Sequence, residues 1–206
     1  MDISVFTLLS ILSPLLPLYA GFRERFSILW NYVLISLLSD LIISIVLKRA
    51  LHTNTGLASN LFVVLEFLFI TIYYHRQVFR KNLFYFVAAI PLLIFLVNTY
   101  LRSFMEFNFF GASILLFTYI LYGLAGFFYL LRTQKQPLLE KSRFFWVNVA
   151  FIVYPSGSFL IMLFKDYLKA TDEHLMKNLW IYLFPVLNIS KNVLLAVAFT
   201  KEREEA

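Results

Sequence analysis

The chain has 206 residues, 61% of them apolar and 15% charged, and a mean hydropathy of +0.77. A soluble domain is nearer about 45–50% apolar and about 25% charged, so the composition excludes a water-soluble fold and makes lipid the solvent. The net charge of +6 comes from basic residues scattered over short loops, which argues against a nucleic-acid-binding face, and the lack of cysteine excludes disulfides and thiolate metal sites.

Runs of about 20 apolar residues match a hydrocarbon core of roughly 30 Å. Seven such runs follow one another, at 3–20, 27–47, 57–75, 83–101, 108–131, 144–164 and 177–200. The first is the weakest, because Pro14 and Pro17 should kink or shorten it. It does not read as a cleavable signal peptide: Asp2 stands where a basic start would be, and no small-residue cleavage motif follows. The breaks between runs are short and charged, among them "FRERF", "YHRQVFRKN" and "KDYLKATDEH". The expected fold class is all-α: a polytopic seven-helix transmembrane bundle, one domain over 1–206. No internal repeat or soluble domain is visible.

Loop charges orient such a bundle. Arg23, Arg25, Arg76, Arg80, Lys81, Arg132, Lys135, Lys141, Arg143, Lys201 and Arg203 fall on one side. Lys48, Arg49, Arg102, Lys165, Lys169 and Lys177 fall on the other, diluted by Glu106, Asp166, Asp172 and Glu173. Eleven against six places the N-terminus outside and the C-terminus in the cytoplasm, in a cytoplasmic (inner) membrane.

Three ionisable residues lie deep in these spans: Asp40 in the second, Glu66 in the third and Lys191 in the seventh. Such residues usually face the bundle interior. In the second span Tyr32, Ser36, Asp40 and Ser44 recur every four residues and share a face. The third places Ser59, Glu66 and Tyr73 seven apart, again one face. The seventh carries Asn188 and Asn192, four apart and flanking Lys191, and the sixth adds Tyr154 and Ser158. The expected cluster is Asp40, Asn60, Glu66, Tyr154, Asn188, Lys191 and Asn192, serving as a ligand site or as structural glue between helices. Within it, Lys191 is expected to be satisfied by Glu66, directly or through water or an asparagine. Gly123 and Gly126 in the fifth span are expected to permit close helix packing.

Other chemistry finds little support. Around "YPSGS" a serine protease would need a partner histidine, but His52, His75 and His174 fall at loop edges. No HExxH, DxxD or Gly-rich phosphate loop occurs, so neither catalytic nor metal-ligating residues are expected. A lysine midway along a seventh helix resembles the retinal lysine of microbial rhodopsins. Against that, Leu187 stands where those proteins carry an aspartate one turn earlier, and "HTNTGLASN" lacks their Arg–aromatic–x–Asp entry motif.

A second resemblance covers most of the chain. "SRFFWVNVAFIVYPSGSFLIML", with Tyr154 and Gly157, "LWIYLFPVLNISKNVLLAVAF", with Trp180, Asn188 and Asn192, and "NLFVVLEF", with Asn60 and Glu66, are similar to a family of small uncharacterised seven-helix integral membrane proteins of Gram-negative bacteria. Asp40 matches an acidic residue of that family's second helix. The resemblance implies a seven-helix fold and a polar site. It carries no activity, and its lysine position is not charged in every member.

The functional expectation is a non-enzymatic membrane sensor or interaction subunit. It sits in the lipid bilayer and relies on a membrane or cytoplasmic protein partner, because the short loops hold no effector domain. No cofactor is expected. The competing expectations are a small transporter or channel, a retinal-binding protein through Lys191, and a lipid-active enzyme using Asp40 or Glu66.

Overall fold

The computed structural model describes residues 5–25, 27–51, 53–133 and 139–201, without the side chains of 48–50. Asp2, His52, Lys135, Arg203 and the side chains of Lys48 and Arg49, used in the sequence reading, lie outside these. Among the described residues every regular element is helical. Six helices are long and apolar enough to cross a membrane: α2 (Ile28–Leu47), α3 (Gly56–Phe79), α4 (Leu83–Arg102), α5 (Phe109–Thr133), α6 (Arg143–Leu163) and α7 (Glu173–Thr200). They are preceded by a shorter apolar helix, α1 (Val5–Ala20).

The expected first span is therefore foreshortened. A turn at Ser13 and Pro14 divides it into Val5–Leu12 and Leu15–Ala20. Proline has no N–H to give the preceding turn and its ring crowds the carbonyl four residues back. The Ser13 hydroxyl takes up the slack by donating to the Ser10 carbonyl at 2.7 Å.

Local chemistry starts the other helices where the sequence changes character. Ser27 caps α2 by accepting from the Trp30 amide at 3.2 Å, Ser142 caps α6 by accepting from Phe145 at 3.1 Å, and Asp172 caps α7 by accepting from Leu175 at 2.8 Å. Within α7, residues Leu179–Leu183 widen into a π-helical turn just before Pro185. That widening lets the helix continue past a residue with no N–H to donate.

α6 is the central element, packed on α5 along one side and α7 along the other. The α5–α6 approach depends on glycine, as expected. A Cβ at Gly123 would stand 2.6 Å from Ile152 Cγ1, and one at Gly126 would overlap the Asn148 side-chain amide. That amide matters elsewhere: Asn148 accepts from the Tyr74 hydroxyl at 2.8 Å, joining α3 to α6. α4 packs mainly on α5 and leaves most of its surface exposed, Phe86, Leu93, Val97 and Leu101 included.

α1 runs parallel to the second half of α7. Phe6 packs edge-on against Tyr182 with centroids 5.8 Å apart, Ser10 meets Asn188, Ser13 meets Asn192, and Gly21 lies against the Phe199 ring. Where α1 and α7 end, Arg143 makes a two-pronged ion pair with Glu24. It also donates to the carbonyls of Ala198 at 3.2 Å and Lys201 at 3.3 Å. One arginine thus closes the α1–α2 connection onto the last turn of α7. At the opposite end Lys165 lies 3.5 Å from the centroid of Phe109, and partial burial pushes its amine below the ordinary lysine value.

Candidate intramembrane polar site

Lys191 is 2% exposed. Its ammonium donates to the Tyr32 hydroxyl at 3.3 Å and lies 4.6 Å from the centroid of Tyr154 and 5.6 Å from that of Tyr32. α7 thereby places a cation between tyrosines of α2 and α6. Faces of aromatic rings carry negative charge density and attract a cation by up to about 2 kcal/mol when water is excluded.

Two carboxylates share this neighbourhood. Glu66 of α3 and Asp40 of α2 both lie near enough to attract the ammonium. Ser36 lies beside Glu66, and Asn188 beside Asp40. Neither carboxylate forms an ion pair with Lys191; among the described residues the ion pairs are Arg102–Asp166 and Arg143–Glu24.

The expected direct bond between Lys191 and Glu66 is thus absent, and neither asparagine bridges them. Asn188 donates to Ser10 Oγ at 3.0 Å and Asn192 to Ser13 Oγ at 2.7 Å. The physical reason is α1: its two hydroxyls reach the asparagines, and Tyr32 reaches the ammonium. A cavity of ≈ 40 Å³ adjoins the cluster, lined by Glu66, Tyr32, Tyr119 and Tyr154 among others. A water needs about 10–15 Å³, so the cavity has room to link Glu66 to the tyrosines through solvent.

Of the seven residues expected together, Lys191 lies against Tyr154 with Glu66 and Asp40 near it and Asn188 beside Asp40, whereas Asn192 turns to Ser13 of α1. Asn60 does not join Lys191. It donates to the Glu106 carbonyl at 2.8 Å and accepts from the Asn108 amide at 3.0 Å, so it fastens the α4–α5 connection. Tyr32, Ser10 and Ser13 complete the site. Tyr32 was visible on the four-residue polar face of α2, whereas nothing in the spacing of Ser10 and Ser13 pointed to α7.

The cluster is incompletely satisfied. Asp40 Oδ2, Asn192 Oδ1 and Ser158 Oγ are buried without a hydrogen-bond partner. An unpaired buried polar group costs about 1–3 kcal/mol. Chemically, the site can hold a cation, exchange hydrogen-bond partners and admit a small polar guest.

No protein-family model, curated protein or solved structure matches the chain.

Proposed function

We propose that this protein is a non-enzymatic sensor or interaction subunit of a cytoplasmic membrane, crossing it seven times with the N-terminus outside and the C-terminus inside. The parallel course of α1 beside α7, from Phe6–Tyr182 to Gly21–Phe199, supports α1 as the seventh crossing. With about 1.5 Å rise per residue, α1 is roughly 24 Å long, short of the roughly 30 Å core, and local thinning or tilted neighbours accommodate the difference. The basic asymmetry of the loops supports the orientation.

One observation carries the functional reading: a buried lysine held by a tyrosine hydroxyl while two carboxylates lie near it without pairing. On this reading the cluster can change from the tyrosine-held arrangement to a lysine–carboxylate pair. A ligand or partner that favours one of them shifts the helices that carry it. α2, α3, α6 and α7 all contribute, so the change reaches most of the bundle.

The test is photo-crosslinking in cells, followed by purification of the full chain in native lipid, with Lys191→Met and Glu66→Gln in parallel. The expected result is a reproducible protein partner whose recovery changes in both variants. Unchanged recovery in both overturns the reading. Ion flux in proteoliposomes that both variants abolish would assign a transporter instead, and visible absorbance lost in Lys191→Met would assign a chromophore protein.

A further inference from the structure

A second cavity, of ≈ 480 Å³, lies at the end of the bundle where α1 and α7 finish. Its size falls within the range of about 300–1,000 Å³ typical of ligand pockets. Arg23 and Arg25 from the α1–α2 connection, Arg76 from α3 and Arg143 from α6 all line it, against a single carboxylate, Glu24. Ser27, Gln77 and Tyr73 add neutral donors.

The one acid does not repel an anion here. Glu24 is engaged by both guanidinium prongs of Arg143, which is itself held by the Ala198 and Lys201 carbonyls. Arg143 and Glu24 are therefore wall. Arg23 and Arg76 form no ion pair among the described residues, so their charge is available to a guest. The first turns of α2 (Ile28, Leu29) and α6 (Arg143, Phe144) also line the cavity. Both are helix N-termini, whose positive dipole ends favour negative charge.

We propose that this cavity binds a phosphate-bearing anion, either the headgroup of a net anionic phospholipid or free phosphate. Guanidinium groups match phosphate geometry with paired hydrogen bonds. Tyr19 and Phe22, both strongly exposed at this end of the bundle, offer acyl chains an apolar surface beside it, which favours the headgroup as the source. The site stands independently of the Lys191 cluster, and its chemistry does not depend on which side of the membrane it faces.

The full chain in detergent is titrated with sodium phosphate, and with sodium chloride at matched ionic strength, while thermal unfolding is followed. The same measurement is made in nanodiscs of phosphatidylcholine with and without phosphatidylglycerol. Phosphate, phosphatidylglycerol or both should raise the melting temperature where the chloride or phosphatidylcholine control does not. Arg23→Ala with Arg76→Ala should weaken that binding by on the order of 100-fold, about tenfold for each charged donor lost. Both side chains are exposed, so the variant should fold, and Arg23→Gln with Arg76→Gln checks that shape is not the cause. Arg132→Ala, at the same end but outside the cavity, should bind as the original chain does. A response to phosphate locates the source in solution, and a response to phosphatidylglycerol alone locates it in the headgroup. The proposal is overturned if chloride equals phosphate and the two lipid compositions are equivalent, or if the double variants respond as strongly as the original.

Discussion

The Lys191 cluster and the connection between α4 and α5 are both buried polar regions, and they are built on opposite plans. Asn108 at the connection is 2% exposed and fully used. Its amide donates to the Phe95 carbonyl at 2.9 Å and to Thr99 Oγ1 at 2.8 Å, and its carbonyl caps Gly111 at 2.8 Å. Asn60 closes the same network from α3. Every polar atom of Asn108 finds a fixed protein partner, so that region has one arrangement. Around Lys191, by contrast, buried oxygens of Asp40, Asn192 and Ser158 lack partners and a small cavity remains open. A fully satisfied network rigidifies; one with spare partners can rearrange at modest cost. The comparison separates polar residues that hold the fold from those suited to respond.

Mutations sharpen the contrast, and the largest effect belongs to the satisfied region. Asn108→Ala strands the Gly111 amide and removes the bonds to the Phe95 carbonyl and Thr99 Oγ1, and should cost about 2–3 kcal/mol. Thermal or denaturant unfolding in detergent measures this, and a loss below about 1 kcal/mol would show that the network does not hold the fold.

Next comes the seam between the cluster and α1. Asn188→Ala and Asn192→Ala should each cost about 1–2 kcal/mol by removing the bond to Ser10 or Ser13 and leaving space behind. The chain has no cysteine, so Ile11→Cys reports directly on this seam. Its thiol should be labelled faster when both asparagines are removed. Equal labelling rates would mean that α1 is held by other contacts.

Within the cluster itself, Glu66→Gln should destabilise by about 1–2 kcal/mol, because it leaves the ammonium with less compensation. Lys191→Met should stay within about 1 kcal/mol, since methionine packs where the charge had to be solvated. The double change should depart from additivity by about 0.5 kcal/mol or more. Strict additivity would show that the two groups do not sense each other, and with it the proposed rearrangement would fail.

The smallest effect calibrates the others. Arg102 and Asp166 pair at 3.8 Å with side chains 48% and 71% exposed. Arg102→Ala should change stability by less than about 0.5 kcal/mol, as exposed pairs usually do. A larger loss would mean that the end bearing the Asn60–Asn108 network depends on surface charge as well as on buried amides.

Much of the fold was legible before any coordinates. The ends of α2 to α7 fall within a few residues of the apolar runs, because hydropathy over 20 residues is a local property. The inward turn of Tyr32 and Ser36 followed from four-residue spacing. Asn188 and Asn192 were marked by their place beside a buried lysine. Asn60 was misassigned, since its sequence neighbour Glu66 suggested a shared site. The two lie six residues apart on α3, and Asn60 sits four residues from the helix start, where the α4–α5 connection crosses. Asn108 went unnoticed because it stands at the very edge of an apolar run, and the Glu24–Arg143 pair because both residues lie in charged breaks that spacing rules do not resolve.

The sequence by itself determined the apolar character of the chain, the approximate limits of the six long helices, and which of them carry the deep ionisable groups Asp40, Glu66 and Lys191. These depend on composition and on a period of 3.6 residues, and both are written along the chain. Tertiary structure alone decided the partners. It gave Lys191 a tyrosine rather than Glu66, and brought the two serines of the broken α1 to the two asparagines of α7. It also gathered four arginines, from stretches up to 120 residues apart, around one cavity. Which partner a buried polar group meets depends on which helices lie beside it, and that is set by packing, which no local pattern contains.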